Sequence, residues 1–180
     1  MSELFAALNS LAGGHVRLAP GQVLFRRGDP VRNLYLVRCG CVQLARVDAA
    51  GTPAVMQRAK AGQVLAESSL FSSAYYCDAE ALTQSELTRL RKTDVLARMA
   101  AEPPLMSALA EHLAREVQHT RVRVEVLAKR TVAERLDAWL VFHEEGLPPA
   151  GQWRGVAEDI GVSPEAFYRE LARRRAAARR

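Results

Sequence analysis

A chain of 180 residues with 49% hydrophobic side chains can hold one sizeable core and a smaller satellite domain, and its 25% charged residues exclude a disordered polymer. The net charge of +5 suits a polyanionic partner. No run is long or apolar enough to cross a bilayer, and the N-terminal MSELFAALNSLAGG carries no basic leader. A cytoplasmic location without membrane contact is expected, with the three cysteines as reduced thiols.

From residue 16 to 91, short apolar runs alternate with turn residues: Pro20-Gly21, Gly28-Asp29-Pro30, Gly40, Gly51 and Gly62. Candidate strands span residues 23–25, 34–37, 42–47, 54–58, 79–83 and 87–91, with a helical stretch at each end of the block. Short strands at this spacing predict an antiparallel sandwich or barrel, and the 48–53 connection around Gly51 predicts a hairpin loop.

At about Pro104 the period changes. Met106, Ala110, Leu113, Val117, Thr120, Val124, Leu127 and Thr131 recur in steps of four and three, a seam of a and d positions. A long helix with one narrow apolar stripe needs a partner to bury it, so a two-stranded coiled coil and a homodimer are expected. Leu109, Val122 and Val126 lie off the seam and are expected to pack the helix on its own β domain. His112, Glu116 and His119 share another face, at a spacing open to a metal or to ordinary solvated contacts. A second helical pattern follows at 132–143, with Trp139, Leu140 and Phe142 as core candidates of a small domain. The organisation is a β module at 1–103, a dimerisation helix at 104–131 and a helical domain at 132–180.

That last domain contains RGVAEDIGVSPEAFYRELARRR, which reads as a helix-turn-helix. Val156, Ala157 and Ile160 share one side of a short helix, and Gly161 supplies the left-handed residue that ends it. Val162 fills the corner, Ser163 is an N-cap, and Pro164 takes the first helical position. The second helix buries Phe167 and Leu171 and turns Glu165, Ala166, Tyr168, Arg169 and Arg173 outward. An ordinary αα-corner has the same local signals. Arg169, Arg173, Arg174, Arg175, Arg179 and Arg180 are opposed only by Glu170, which suits contact with phosphates or a solvated basic end.

These three parts in this order resemble the Crp/Fnr family of bacterial transcription regulators. Gly21, Gly28, Leu34, Tyr35 and Gly40 fall where the family's β-roll pattern favours them, and GQVLAESSLFSSAYYCDA is similar to its phosphate-binding cassette. The resemblance implies an α+β fold: an N-terminal antiparallel β-roll of the cyclic-nucleotide-binding type, a long dimerisation helix and a C-terminal helix-turn-helix. It also implies double-stranded DNA and RNA polymerase as partners. Ser163, Glu165 and Arg169 match the family's recognition helix, so Glu165 would accept from a base amino group and Arg169 would donate to guanine or a phosphate.

Three departures qualify the resemblance. Pro164 stands where many members have an arginine, and Glu170 replaces an apolar residue. After Leu171 come arginines instead of a clear wing, so Arg173 to Arg175 would supply its phosphate contacts. In the cassette, the phosphate arginine, its hydroxyl neighbour and the ribose glutamate correspond to Cys77, Asp78 and Glu67. Thr120 falls where nucleotide-binding members contact the base. A lost cation and an added carboxylate disfavour an anionic nucleotide.

Cys39, Cys41 and Cys77 are then candidates for a soft metal or metalloid site, or for a redox-controlled disulfide, if the Cys39-Gly40-Cys41 turn lies beside the cassette; simple core or surface cysteines are the alternative. Four histidines leave room for haem, which some members use, but no motif supports it. No phosphate loop, nucleophile elbow or zincin motif is present, and His143-Glu144-Glu145 closes a helix, so no enzyme is expected. The expected function is a dimeric, sequence-specific DNA-binding regulator whose effector is not a cyclic nucleotide. The alternative is a dimeric sensor or scaffold whose degenerate C-terminal domain contacts a protein.

Overall fold

The turn-punctuated first half folds into strands because its apolar runs are short and each ends at a residue that reverses the chain. In the computed structural model, helix α1 (Glu3–Leu8) precedes β1 (Gly14–Leu18), β2 (Val23–Phe25), β3 (Asn33–Cys39), β4 (Cys41–Val47), β5 (Pro53–Lys60), β6 (Val64–Leu65), β7 (Asp78–Ala81) and β8 (Ser85–Arg91). Helices α2 (Lys92–Ala101), α3 (Pro103–Ala128), α4 (Val132–Val141), α5 (Trp153–Asp159) and α6 (Pro164–Ala177) follow. The structure describes residues 3–47, 53–143 and 146–177. The tip of the expected 48–53 loop with Gly51, together with Glu144, Glu145, Arg179 and Arg180, lies outside the described residues.

Two four-stranded antiparallel sheets form the roll, in the orders β1-β8-β3-β6 and β2-β7-β4-β5. Their shared interior holds Phe25, Tyr35, Val37, Val42, Leu44, Leu65, Tyr75 and Leu87. The Phe25 and Tyr75 rings stack at 3.7 Å, and the Tyr75 hydroxyl donates to the Asn33 carbonyl at 2.7 Å. On β3, Leu34, Tyr35, Leu36 and Val37 are all buried, because this strand is covered on both faces. Tyr35 and Val37 face the roll, while Leu34 and Leu36 join Leu4, Leu8, Val95, Met99, Leu105 and Leu109 in a second, helical cluster. Burying each such side chain contributes about 1.5–3 kcal/mol.

The candidate strands correspond to β2, β3, β4, β5, β7 and β8. β1 and β6 were not among them. β1 is an alternating edge strand, with Leu18 its only fully buried side chain, and β6 is two residues long.

The chain divides into two compact units, residues 1–113 and 114–180, and α3 runs through the division. Leu105 and Leu109 bury in the helical cluster of the first unit. Val122 and Val126 were expected to pack on the β domain; they bury instead in the core of the second unit, with Leu136, Trp139, Val156, Ala157, Ile160, Phe167 and Leu171. The seam lies elsewhere on α3. Met106, Ala110, Val117, Thr120, Val124 and Leu127 are exposed, Val124 by 62% and Val117 by 48%, whereas Leu113 is half-buried against the first unit's helical cluster.

The seam's last step is corrected. α3 ends at Ala128, and Thr131 caps α4: the Glu134 backbone N–H donates to Thr131 Oγ1 at 3.1 Å, and the Thr131 N–H donates to the Glu134 carboxylate at 2.9 Å. This reciprocal box satisfies two helix-start donors and fixes a new helix axis.

Candidate functional site

The second unit carries the helix-turn-helix. Val156, Ala157 and Ile160 are fully buried, so α5 can cross α6 closely over the small Ala157. Gly161 has φ +65°, and a Cβ there would press on the Leu127 side chain. The Val162 N–H donates to the Ala157 carbonyl at 2.9 Å, and the Ala166 N–H donates to Ser163 Oγ at 3.2 Å, which caps α6. Arg135 on α4 also holds the turn: its Nη1 donates to the Ile160 and Gly161 carbonyls at 3.2 and 3.0 Å. Sequence reasoning missed this clamp, because only the fold brings a residue 26 positions away to the end of α5.

On α6, Phe167, Glu170 and Leu171 face inward, while Glu165, Tyr168, Arg169 and Arg173 are exposed and Ala166 is half-buried. Tyr168 rests its ring near Trp153 and Phe167. Glu165 sits in the first turn. Its carboxyl is held below the usual range by its own backbone N–H, then the Ser163 hydroxyl, with help from Arg154 and Arg169. It is therefore an ionised acceptor beside the Arg169 donor.

Glu170 explains why a charged residue can stand at an apolar position. Arg173 donates to it with Nε and Nη2, both at 2.8 Å, and Arg174 Nε donates at 2.7 Å. Arg174 then reaches α4, donating to Asp137 Oδ1 at 2.6 Å and to the Ala133 carbonyl at 2.9 Å. Hydrogen bonding by Arg173 pulls the Glu170 carboxyl down to about 2. Arg175 lies over the Trp153 ring at 5.1 Å. Arg174, expected to contact phosphate, is thus a tie between α6 and α4, and Arg173 keeps an exposed guanidinium edge.

In the first unit, Glu67, Cys77 and Asp78 come within electrostatic reach of one another. Glu67 opens a single 3-10 turn (Glu67–Ser69) after Ala66, whose φ is +70°. Glu67 is buried, with Oε1 3.8 Å from His112 Nε2, while Oε2 has no hydrogen-bond partner among the described residues. Cys77 lies in the roll core, where burial, then the Asp78 charge, pushes its thiol up to about 11. Asp78 Oδ1 accepts the Arg27 backbone N–H at 2.7 Å. The exposed Arg46 offsets these charges only in part. A neutral thiol and two carboxylates do not fit the phosphate of a cyclic nucleotide. Thr120 belongs to the second unit, where it is exposed.

The three cysteines do not converge. Cys41 pairs with Lys60 at one end of β4, and Cys77 lies just beyond the Asp78–Ala45 pair at the other. Four residues of strand separate these rungs by about 13 Å. The Cys39-Gly40-Cys41 turn packs on the β7–β8 connection instead, where the Cys41 N–H donates to Thr83 Oγ1 at 3.0 Å and Ser85 Oγ at 3.2 Å. Among the described residues, no group of three or more His, Cys, Asp or Glu side chains could hold a metal ion, and His112 Nε2 lies 3.8 Å from Glu67 Oε1. Among the described residues, no helix is long and apolar enough to cross a membrane.

A family model described as the cyclic nucleotide-binding domain matches residues 15–102. The chain is 31% identical over 160 residues to the cyclic AMP receptor protein of Thermus thermophilus, a match covering 86% of this chain and 74% of that protein. It is 25% identical over 152 residues to the global nitrogen regulator of Synechococcus elongatus, covering 82% and 67%. In fold it is similar to the solved structure of FixK2 from Bradyrhizobium japonicum, with a TM-score of 0.73 at 17% identity over 93% of this chain and 87% of that one. Likeness on this scale, through the roll and the helices after it, makes this chain a member of the Crp/Fnr family of transcription regulators.

Proposed function

We infer that the chain works as a homodimer, joined along the α3 seam, that reads double-stranded DNA with α6 in the major groove. The observation that carries this is the division of labour on α6. Phe167, Leu171 and the Glu170–Arg174–Asp137 chain hold the helix to its domain, leaving Glu165 and Arg169 exposed side by side. An ionised glutamate accepts from cytosine N4, and an arginine donates to guanine O6 and N7. Ala166 and Tyr168 flank them, Ser163 starts the helix beside the backbone, and Arg173 offers its outer edge to a phosphate.

Support for the dimer comes from the seam: valine and leucine side chains left in water at heptad spacing gain by pairing with a second copy. The roll is the sensing domain. Its cradle of Glu67, Cys77 and Asp78 is unsuited to an anion, so its effector is of another class than a cyclic nucleotide. RNA polymerase is the further partner that family membership suggests, and the cytoplasm the place of action.

Sedimentation and gel shift test the reading together. The parent is expected to sediment as a dimer and to shift DNA from its own promoter at low salt. Val124→Lys is expected to sediment as a folded monomer and to lose the shift. A parent dimer that leaves all DNA unshifted would favour a scaffold that contacts a protein. A parent that is a monomer would overturn the dimer.

A further inference from the structure

We propose that the second unit holds a binding site for a small apolar monocarboxylate, separate from the roll cradle, in the cavity walled by α3, α4 and the end of α5. This goes beyond the DNA-reading function and does not depend on it. The cavity encloses about 450 Å³, the size of a small-molecule site. Val122, Val126, Trp139 and Phe142 make most of its wall apolar and aromatic.

Gln118, His119, Arg123, His143 and Asp159 interrupt that apolar wall, and of these Gln118 and His119 are exposed. Arg123 lines the cavity, and its Nε is buried without a hydrogen-bond partner among the described residues. A guanidinium stays charged at any working pH, so a buried donor left without an acceptor is a standing cost of the empty cavity. A carboxylate is the planar acceptor that matches the guanidinium fork.

The other polar groups narrow the ligand. Asp159, at the cavity, is solvent-exposed and so screened, but it stands against a second negative charge on the ligand. His143 lies flat on Trp139, with ring centroids 3.5 Å apart and planes within 7°, and its Nδ1 is hydrogen-bonded to the Trp139 carbonyl at 2.8 Å. That bond holds the ring in place, so the wall beside Arg123 is a fixed aromatic surface. His119 is exposed and adds no buried charge. An arylalkanoate satisfies all of this: its carboxylate meets Arg123 and its ring meets Trp139 and Phe142.

Calorimetry on the full chain, without DNA, tests the site with phenylacetate, 3-phenylpropionate, phenethylamine and phenylsuccinate. At least one monocarboxylate is expected to bind once per chain, at least tenfold more tightly than the amine or the dicarboxylate. Arg123→Gln should weaken it at least tenfold, Phe142→Ala should weaken it several-fold, and Glu67→Gln in the roll should leave it unchanged. Phe142 is already 44% exposed, so its variant carries the test if Arg123→Gln fails to fold. Absence of saturable carboxylate binding, equal binding of the amine, or full affinity in both folded cavity variants would overturn the proposal. A loss on Glu67→Gln would move the site to the roll and overturn it too.

Discussion

Glu67 in the roll and Glu170 in the C-terminal unit are both carboxylates with almost no exposed surface, and they are met in opposite ways. Glu170 accepts three hydrogen bonds from two arginines, one of which also ties α6 to α4. Glu67 has a histidine at 3.8 Å on one oxygen and no hydrogen bond on the other among the described residues. A buried carboxylate that is fully met fixes a geometry, whereas one left short of donors leaves a polar spot in the core. The C-terminal unit therefore holds its outward face rigidly, and the roll keeps an acceptor in its cradle with no donor among the described residues.

The largest effect expected from breaking this contrast is at Glu170. Glu170→Gln should cost the second unit about 2–3 kcal/mol, because two arginines lose a charged acceptor, as read from thermal or urea unfolding. Its pH dependence has a fixed sign. The carboxyl is lowered from 4.5 to about 2 in the fold, so its contribution is complete above about 4.5 and is lost as pH falls towards 2. The variant should lack that acid limb. Arg169→Ala comes next: discrimination at one base position should weaken by about 1–3 kcal/mol, as measured by competition with base-substituted duplexes. Unchanged selectivity would remove Arg169 from the reading surface. Glu67→Gln should be the mildest, with roll stability unchanged or raised by up to about 1 kcal/mol, because the change removes a buried carboxyl whose Oε2 has no hydrogen-bond partner among the described residues. A marked loss of stability would mean that Glu67 holds the roll together as Glu170 holds the helices.

The same contrast separates what is legible in the sequence from what is not. The helix-turn-helix could be read because its signals are local: Gly161 for the turn, Ser163 and Pro164 for the start of α6, and apolar residues at helical spacing between them. The seam on α3 was equally readable, but its end was not. Thr131 continues the heptad step, and its capping pair with Glu134 has to win over that pattern before the helix break is evident. Long-range chemistry stayed hidden. Arg174 reads as a phosphate contact until Asp137, 37 residues away, is seen to hold it. Three cysteines look like one site until strand register puts Cys41 and Cys77 at opposite ends of β4. Glu170 looks like a flaw in a helix face because its partners Arg173 and Arg174, one turn on, read as outward-facing until Arg174 is seen to reach Asp137 on α4.

Selection from a pool of random duplexes by the purified full chain, at stated low salt, asks whether two copies of α6 read DNA as a pair. The expected result is enrichment of two inverted half-sites with centres about 10 base pairs apart, the spacing at which paired recognition helices meet successive major grooves. Enrichment of an isolated half-site, or of no sequence at all, would contradict it.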